Sequence, residues 1–152
     1  MFKKILLATD GSPASTRAAE LALDLARTCG ATLAIVYVVD PYPYLGVGDT
    51  NPLGFQAYMS AAYEHAAQAR AKVEALAKGG QPVELGWRLA EDKHASEGIL
   101  QAATETGADL IVVGSHGRTG IGRMLLGSIA AQVVSQSSVP VLVARVGPSA
   151  TK

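Results

Sequence analysis

The sequence predicts an α/β domain: a parallel sheet of five strands with helices on both faces. Three observations carry that expectation. Short apolar runs, such as Ile5 to Ala8 and Leu110 to Val113, are continuous rather than alternating, as strands buried on both faces are. Between the runs, apolar residues recur three and four apart, the period of a helix with one buried face. Runs and periodic segments alternate, strand then helix, until a last strand that no helix follows.

The first strand is expected at residues 3–9, where Ile5, Leu6, Leu7 and Ala8 follow a basic start. Asp10, Gly11, Ser12 and Pro13 end it; Ser12 can cap a helix and Pro13 suits the first helical position. That helix turns Ala14, Ala18, Leu21, Ala22, Leu25 and Ala26 inward, and Gly30 closes it as a left-handed cap. A second, β-branched strand follows at residues 32–39. Residues 40–54 are rich in proline and glycine and have no periodicity. They read as a long loop, either a surface connection or a flap over a ligand or partner with Tyr42 and Tyr44 as contacts.

A long helix is expected at residues 55–78, with Ala62, Ala66, Ala69, Val73, Leu76 and Ala77 toward the sheet, stopped by Gly79 and Gly80. The third strand spans residues 82–89, and its Trp87 reads as a packing residue. A link at residues 90–95 leads to a helix ending near Thr106, with Ile99, Leu100 and Ala103 inward and Gly107 as its stop. The fourth strand, residues 110–113, runs into a glycine-rich loop. A helix then runs from Ser128 to about Ser137, with Ile129, Ala130, Val133 and Val134 on one side. The fifth strand is expected at residues 140–146. Residues 1–147 make one domain and 148–152 a frayed tail. Strands one to three wind one way and four and five the other. The expected order is 3-2-1-4-5, a flavodoxin-like arrangement within the Rossmann-like doubly wound class.

Composition narrows the function. The 13 basic and 13 acidic residues cancel, which argues against nucleic acid or a membrane surface as the main partner. No apolar run approaches the roughly 18 residues of a membrane span, and the opening apolar stretch is too short for a signal peptide. The one cysteine, Cys29, excludes an internal disulfide and a cysteine metal cluster, and suits a reduced, cytoplasmic protein in which it packs as a small apolar residue. His65 and His94 have no partner spacing that implies a metal.

The segment DLIVVGSHGRTGIGRMLLGSIAA, from Asp109 to Ala131, is the chemical centre. Gly114, Gly117, Gly120, Gly122 and Gly127 crowd a loop between a buried strand and a helix start. A helix N-terminus offers unpaired N–H groups and a positive dipole end, which favour an anion such as phosphate. Arg118 and Arg123 add positive charge. A P-loop requires a lysine directly before the Ser/Thr, and the stretch from Gly122 to Ser128 has none. A dinucleotide fingerprint begun at Gly120 needs glycine where Leu125 stands. The spacing that fits is Gly114-x2-Gly117-x9-Gly127-Ser128.

With that spacing the chain resembles the universal stress protein family, in the subgroup that binds ATP. The opening KKILLATDGS, the YVVDP after strand two, the lead-in IVVGSHGRTG and the follow-on SSVPVLVAR are similar to the family's pattern along nearly the whole chain. The resemblance implies ATP with Mg²⁺ or Mn²⁺ as ligands. Ala8, Thr9 and Asp10 would approach the ribose and phosphates. Asp10 would either hold the metal or serve as an Asx-turn residue capping the next helix. The main chain of Val38 would meet the adenine edge, and Val113 would line the base pocket. Gly114, His116, Gly117 and Arg118 would wrap the ribose and phosphates. Gly127, Ser128 and Ile129 would offer N–H groups, with the Ser128 hydroxyl, to the phosphate chain. His116 reads as a loop-packing residue or as a base. Members of the family often carry a G-x-P stretch before the third helix, where this chain has Ala90 to Ala95 without glycine or proline. That puts the local geometry there in question.

Independently of the resemblance, the topology brings the turn after strand one and the glycine loop together, where ligands bind in such sheets. The favoured function is an ATP-binding stress-response sensor or regulator rather than a fast catalyst, with no residue assigned as catalytic. Alternatives are a slow ATPase or phosphoryl-transfer enzyme on the same site, and a nucleotide-free dimeric interaction module. A flavin protein fits poorly with only 5% aromatic residues. The apolar last strand, with Val139, Val141, Leu142, Val143 and Val146 at a sheet edge, predicts a homodimer, as the family resemblance does. A further protein partner is left unidentified.

Overall fold

The computed structural model describes residues 1–39, 52–91, 94–116 and 126–145. Five parallel strands form one sheet in the order β3-β2-β1-β4-β5. They are β1 (Lys4–Thr9), β2 (Thr32–Val38), β3 (Leu85–Ala90), β4 (Leu110–Gly114) and β5 (Val141–Ala144), joined by α1 (Pro13–Cys29), α2 (Pro52–Ala77), α3 (Ala95–Thr106) and α4 (Ser128–Gln136). Fold class and strand order are those the sequence predicts.

The central strands show why their runs are uninterrupted. Ile5 and Leu7 face one side of β1 with Leu33, Ile35, Leu110 and Val112, and pack on α1 and α2 through Ala18, Ala22, Leu23 and Val73. Leu6 faces the other side with Val36, Ile111 and Val113, and packs on α3 and α4 through Ile99, Ala102, Ala103, Ala130 and Val133. Both alternating sets are buried, so neither needs polar residues. Alanines on the helix faces bring the helices close to the sheet. Asp109 ties the sheet at the other end: its carboxylate accepts the N–H groups of Lys3 at 2.9 Å and Lys4 at 3.1 Å.

Several expected boundaries move. The second helix begins at Pro52, so Leu53 and Gly54 belong to it and not to the loop. Proline lacks only a donor that the first helical turn leaves unpaired anyway, so it opens the helix. The rest of that loop, with Tyr42 and Tyr44, lies outside the described residues. The third strand starts at Leu85 because its ladder begins where Leu33 of β2 stands opposite, and it runs to Ala90 opposite Val38. The fifth strand is Val141–Ala144; Pro140 lends its carbonyl to Ile111 N–H at 3.0 Å but has no donor to extend the ladder. Val146 and the tail lie outside the described residues. In α4, Ala130 and Val133 are buried, but Ile129 and Val134 are exposed. The helix lays a narrow stripe on the sheet, narrower than its apolar residues suggest.

Other readings are met in detail. Ser12 caps α1 and accepts Ser15 N–H at 3.3 Å, while Gly30 and Gly107 close α1 and α3 with positive φ. Trp87 packs against the core, with the Arg70 guanidinium stacked 4.8 Å from its ring centroid. Cys29 is free and half-buried against the same core. Among the described residues no helix is long and apolar enough to cross a membrane.

Leu7 is fully buried on the central strand. We expect Leu7→Ala to lower the unfolding free energy by about 2–5 kcal/mol, read as a lower urea midpoint with an unchanged slope.

Candidate functional site

A crevice opens where the winding reverses. The β1–β4 ladder ends at Leu7 opposite Val112, yet β1 continues to Thr9 and β4 to Gly114. Beyond that point the chains part, β1 into α1 on one face and β4 toward α4 on the other. The result is a cavity of about 300 Å³. Ala8, Thr9, Asp10, Val38, Val113, Gly114, His116, Gly127, Ser128 and Ile129 all line it. Gly117 and Arg118, with Arg123, lie outside the described residues. Reading the sequence missed Ser15, Val36, Ala95, Ile99, Ser115 and Ala130, which line it too. Val36 was legible from the period of two, since it shares its face with Val38.

Each wall has its own construction. On the first, Asp10 Oδ1 accepts Ser12 N–H at 2.9 Å, an Asx turn that sets the start of α1. Thr9 Oγ1 accepts Gly11 N–H at 3.2 Å, and its hydroxyl donates to Ser15 Oγ at 3.2 Å; the Ser15 hydroxyl donates to Ser12 C=O at 2.9 Å. Gly11 has φ of 80°, which a side chain would strain. Lys72 of α2 reaches over to donate to Gly11 C=O at 2.9 Å.

On the opposite wall, Gly127 is the N-cap of α4 and has no side chain to satisfy the first-turn N–H groups. Those of Ser128, Ile129 and Ala130 have no intrahelical acceptor. The Gly127 N–H itself is used: it donates to Ser115 C=O at 2.7 Å. That bond corrects the expectation that Gly127 offers its own N–H to a ligand. Glycine is needed here for approach, because a Cβ on Gly127 would stand 3.1 Å from Ser115 O and 3.4 Å from His116 Cα. Gly114 serves packing as well; its Cβ would meet Ala14 O at 3.1 Å, where α1 crosses the end of β4.

The floor is apolar: Ala8, Val36, Val38, Ile99 and Val113. One backbone group breaks it. Thr32 N–H donates to Lys3 C=O, and Val39 N–H donates to Ala90 C=O. Even-numbered residues of β2 therefore turn their backbone toward β1 and odd ones toward β3. Val38 faces β1 one position past the last β1 pair, Thr9 opposite Tyr37. Its carbonyl consequently lies beyond the ladder, at the cavity edge. At the α3 side, Ala95 opens the helix and its N-cap His94 makes no side-chain cap bond. Ser96 donates to Gln132 Oε1 at 2.7 Å, holding α3 and α4 together. His65 is exposed on α2, away from the cavity.

Among the described residues no group of three or more His, Cys, Asp or Glu is arranged to hold a metal. Asp10, with Oδ2 free of partners among those residues, is the only carboxylate among the described residues that line the cavity. A single hard oxygen donor fits a cation that arrives on phosphates and keeps its waters; it does not fit a resident protein-held metal.

A family model for the universal stress protein family matches residues 1–145. A universal stress protein of Thermus aquaticus is 41% identical over 146 residues, covering 95% of this chain and all of that one. Among solved structures, universal stress protein UspA from Lactobacillus plantarum superposes with a TM-score of 0.77 at 26% identity, covering 94% of this chain and 97% of that one. A universal stress protein in complex with cAMP superposes with a TM-score of 0.64 at 26% identity, covering 95% and 97%.

The close approach at Gly127 sets an expectation that needs no ligand. Gly127→Val should cost about 1–3 kcal/mol of stability by overpacking, measured by urea unfolding, and should shift the amide resonances of Ser128 to Ala130. Unchanged stability and amide shifts would mean that Gly127 tolerates a side chain.

Proposed function

The chain belongs to the universal stress protein family, and from that premise we propose that it binds ATP in the β1–β4 cavity and acts as a stress-response sensor or regulator. The observation that carries the reading is the meeting, in one cavity, of the uncapped first turn of α4 with an apolar floor. Unpaired amides and the dipole end suit phosphate. An apolar slot with one exposed carbonyl, that of Val38, suits adenine, whose exocyclic amino group needs an acceptor. The cAMP complex of a 26% identical relative supports an adenine nucleotide on this fold. Ala8, Thr9 and the Asp10 turn would flank the ribose and phosphates. Asp10 Oδ2 would hold Mg²⁺ or Mn²⁺ carried on the phosphates, and the ion would supply charge neutralisation there. Gly117 and Arg118 join this reading through the resemblance alone.

ATP held in this way is bound rather than cleaved. Fast phosphoryl transfer requires an oriented nucleophile and a fixed clamp of charge on the transferred group. The cavity's carboxylate is already tied through Oδ1 to the α1 turn, and no described residue near it supplies a lysine or arginine to its lining. We expect Mg²⁺-ATP to titrate into the protein by calorimetry, with Asp10→Ala weakening binding when Mg²⁺ is present and changing little in EDTA. Absence of binding to the wild type would remove the proposal. Single-turnover hydrolysis should run far below the ~1–100 s⁻¹ of kinases. A rate within that range, lost in Asp10→Ala or His116→Ala, would make the protein an enzyme.

The proposed assembly is a homodimer through β5 and its flanks, residues 139–146. Among the described residues β5 pairs with β4 alone. Ile111 N–H bonds Pro140 C=O and Ser115 N–H bonds Ala144 C=O. By the same alternation, Val141 and Val143 turn their backbone to the free edge, which invites another strand. Cytoplasmic residence is the matching compartment, consistent with a free Cys29. Sedimentation at micromolar concentration should give a dimer. Val143→Pro, which removes an outward N–H while leaving the β4 ladder its donors, should give a folded monomer.

A further inference from the structure

His116 carries a polar atom that the protein leaves unsatisfied. Its Nδ1 lies 3.2 Å from Ser115 Oγ, and its Nε2 is buried with no hydrogen-bond partner among the described residues. Ser115 is 3% exposed and held at both ends. Its N–H donates to Ala144 C=O at 2.8 Å, and its C=O accepts Gly127 N–H at 2.7 Å. The imidazole sits beside the cap of α4: a Cβ on Gly127 would stand 3.9 Å from His116 Cδ2, the ring carbon bonded to Nε2.

Two neutral tautomers are open to the ring, and the hydrogen bonds separate them. If Nδ1 carries the proton, it donates to Ser115 Oγ. The Ser115 hydroxyl hydrogen then has no acceptor among the described residues, and the Nε2 lone pair has no donor. If Nε2 carries the proton, the Ser115 hydroxyl donates to Nδ1, and the Nε2–H alone lacks a partner. Buried polar groups left unpaired lose their hydration without return, so the second arrangement is favoured. The ring that carries this remaining donor lines the cavity beside the cap of α4, with Nε2 itself buried.

We propose that Ser115 fixes His116 as the Nε2–H tautomer, and that this N–H donates to a phosphate oxygen of the nucleotide bound at α4. The proposal rests on the nucleotide reading and deepens it. His116 is a ligand-contacting donor, and Ser115 is a positioning residue that acts through it. A neutral imidazole gives the phosphate a directed hydrogen bond without a fixed charge, beside the neutral amides of the first turn of α4. The acceptor class is an oxyanion; a bare nucleoside does not supply it.

Nitrogen-15 NMR of the histidine side chains in the full chain, in alkaline buffer and assigned with His116→Gln, tests both halves. In the nucleotide-free protein His116 should show a protonated Nε2 and a bare Nδ1, and Ser115→Ala should mix the tautomers. Mg²⁺-ATP should move the Nε2 resonance, whereas adenosine should leave it in place. By calorimetry, His116→Leu should weaken ATP binding roughly ten- to hundredfold, the loss of a hydrogen bond to a charged group. His116→Gln, which restores an N–H at similar reach, should keep most of the affinity. An Nδ1–H ring in the free protein, or equal ATP affinity in wild type and His116→Leu, overturns the proposal while the nucleotide reading stands. A wild type that binds no ATP overturns that reading and the phosphate acceptor with it.

Discussion

Everything at the cavity follows from one topological necessity. Parallel crossovers have a fixed hand, so a sheet gains helices on both faces only if the chain reverses its winding. Here the reversal falls between β1 and β4. The two strands leave the sheet side by side and diverge, α1 to the Ile5–Leu7 face and α4 to the Leu6–Val36 face. Past Leu7 and Val112 the two strands no longer pair. The cavity is therefore a property of the fold, and the sequence has only to line it.

The described lining works by closeness. Backbone groups share its polar surface with short side chains: the carbonyl of Val38 and the first-turn amides of α4 stand with Thr9, Asp10, Ser15, Ser115 and Ser128. Small residues let these groups converge. Gly127 permits a 2.7 Å bond to Ser115 that hooks the start of α4 onto the end of β4, and Gly114 admits the first turn of α1. Side chains then set the details, as the Thr9–Ser15–Ser12 hydroxyl chain and the Ser96–Gln132 bond do.

Much of this was legible in the sequence, and the reasons differ by element. Strands buried on both faces announce themselves as unbroken apolar runs, so β1, β2 and β4 were clear, and alternation with helices fixed the order of the sheet. Boundaries set by a partner strand were not legible. Leu85 starts β3 because Leu33 stands opposite, and nothing local to residues 82–84 says so. The packing roles of Gly114 and Gly127 were not legible, since a glycine kept for close packing looks the same as one kept for a ligand. Ser15 and Ser115 were missed because their value lies in a neighbour three residues away or adjacent, which period and composition do not encode. Periodicity put Ile129, Ala130, Val133 and Val134 on one side, yet a helix as short as α4 buries only Ala130 and Val133 of them.

The carboxylate of Asp109 grips the backbone of Lys3 and Lys4 across |i−j| of 106 and 105. That clasp has a consequence for synthesis. As the chain emerges, β1, β2 and β3 can associate once Ala90 is out, but the side of β1 meant for β4 stays open. Three consecutive residues of that strand, Ile5, Leu6 and Leu7, are fully buried in the finished fold. At about 5–20 residues per second, the roughly twenty further residues that bring β4 take on the order of one to a few seconds. During that interval the nascent chain presents an unpaired apolar edge at what will become its centre, the form of surface most prone to pairing with a stranger. Arrival of Asp109 and β4 closes that edge and leaves β1 paired on both sides.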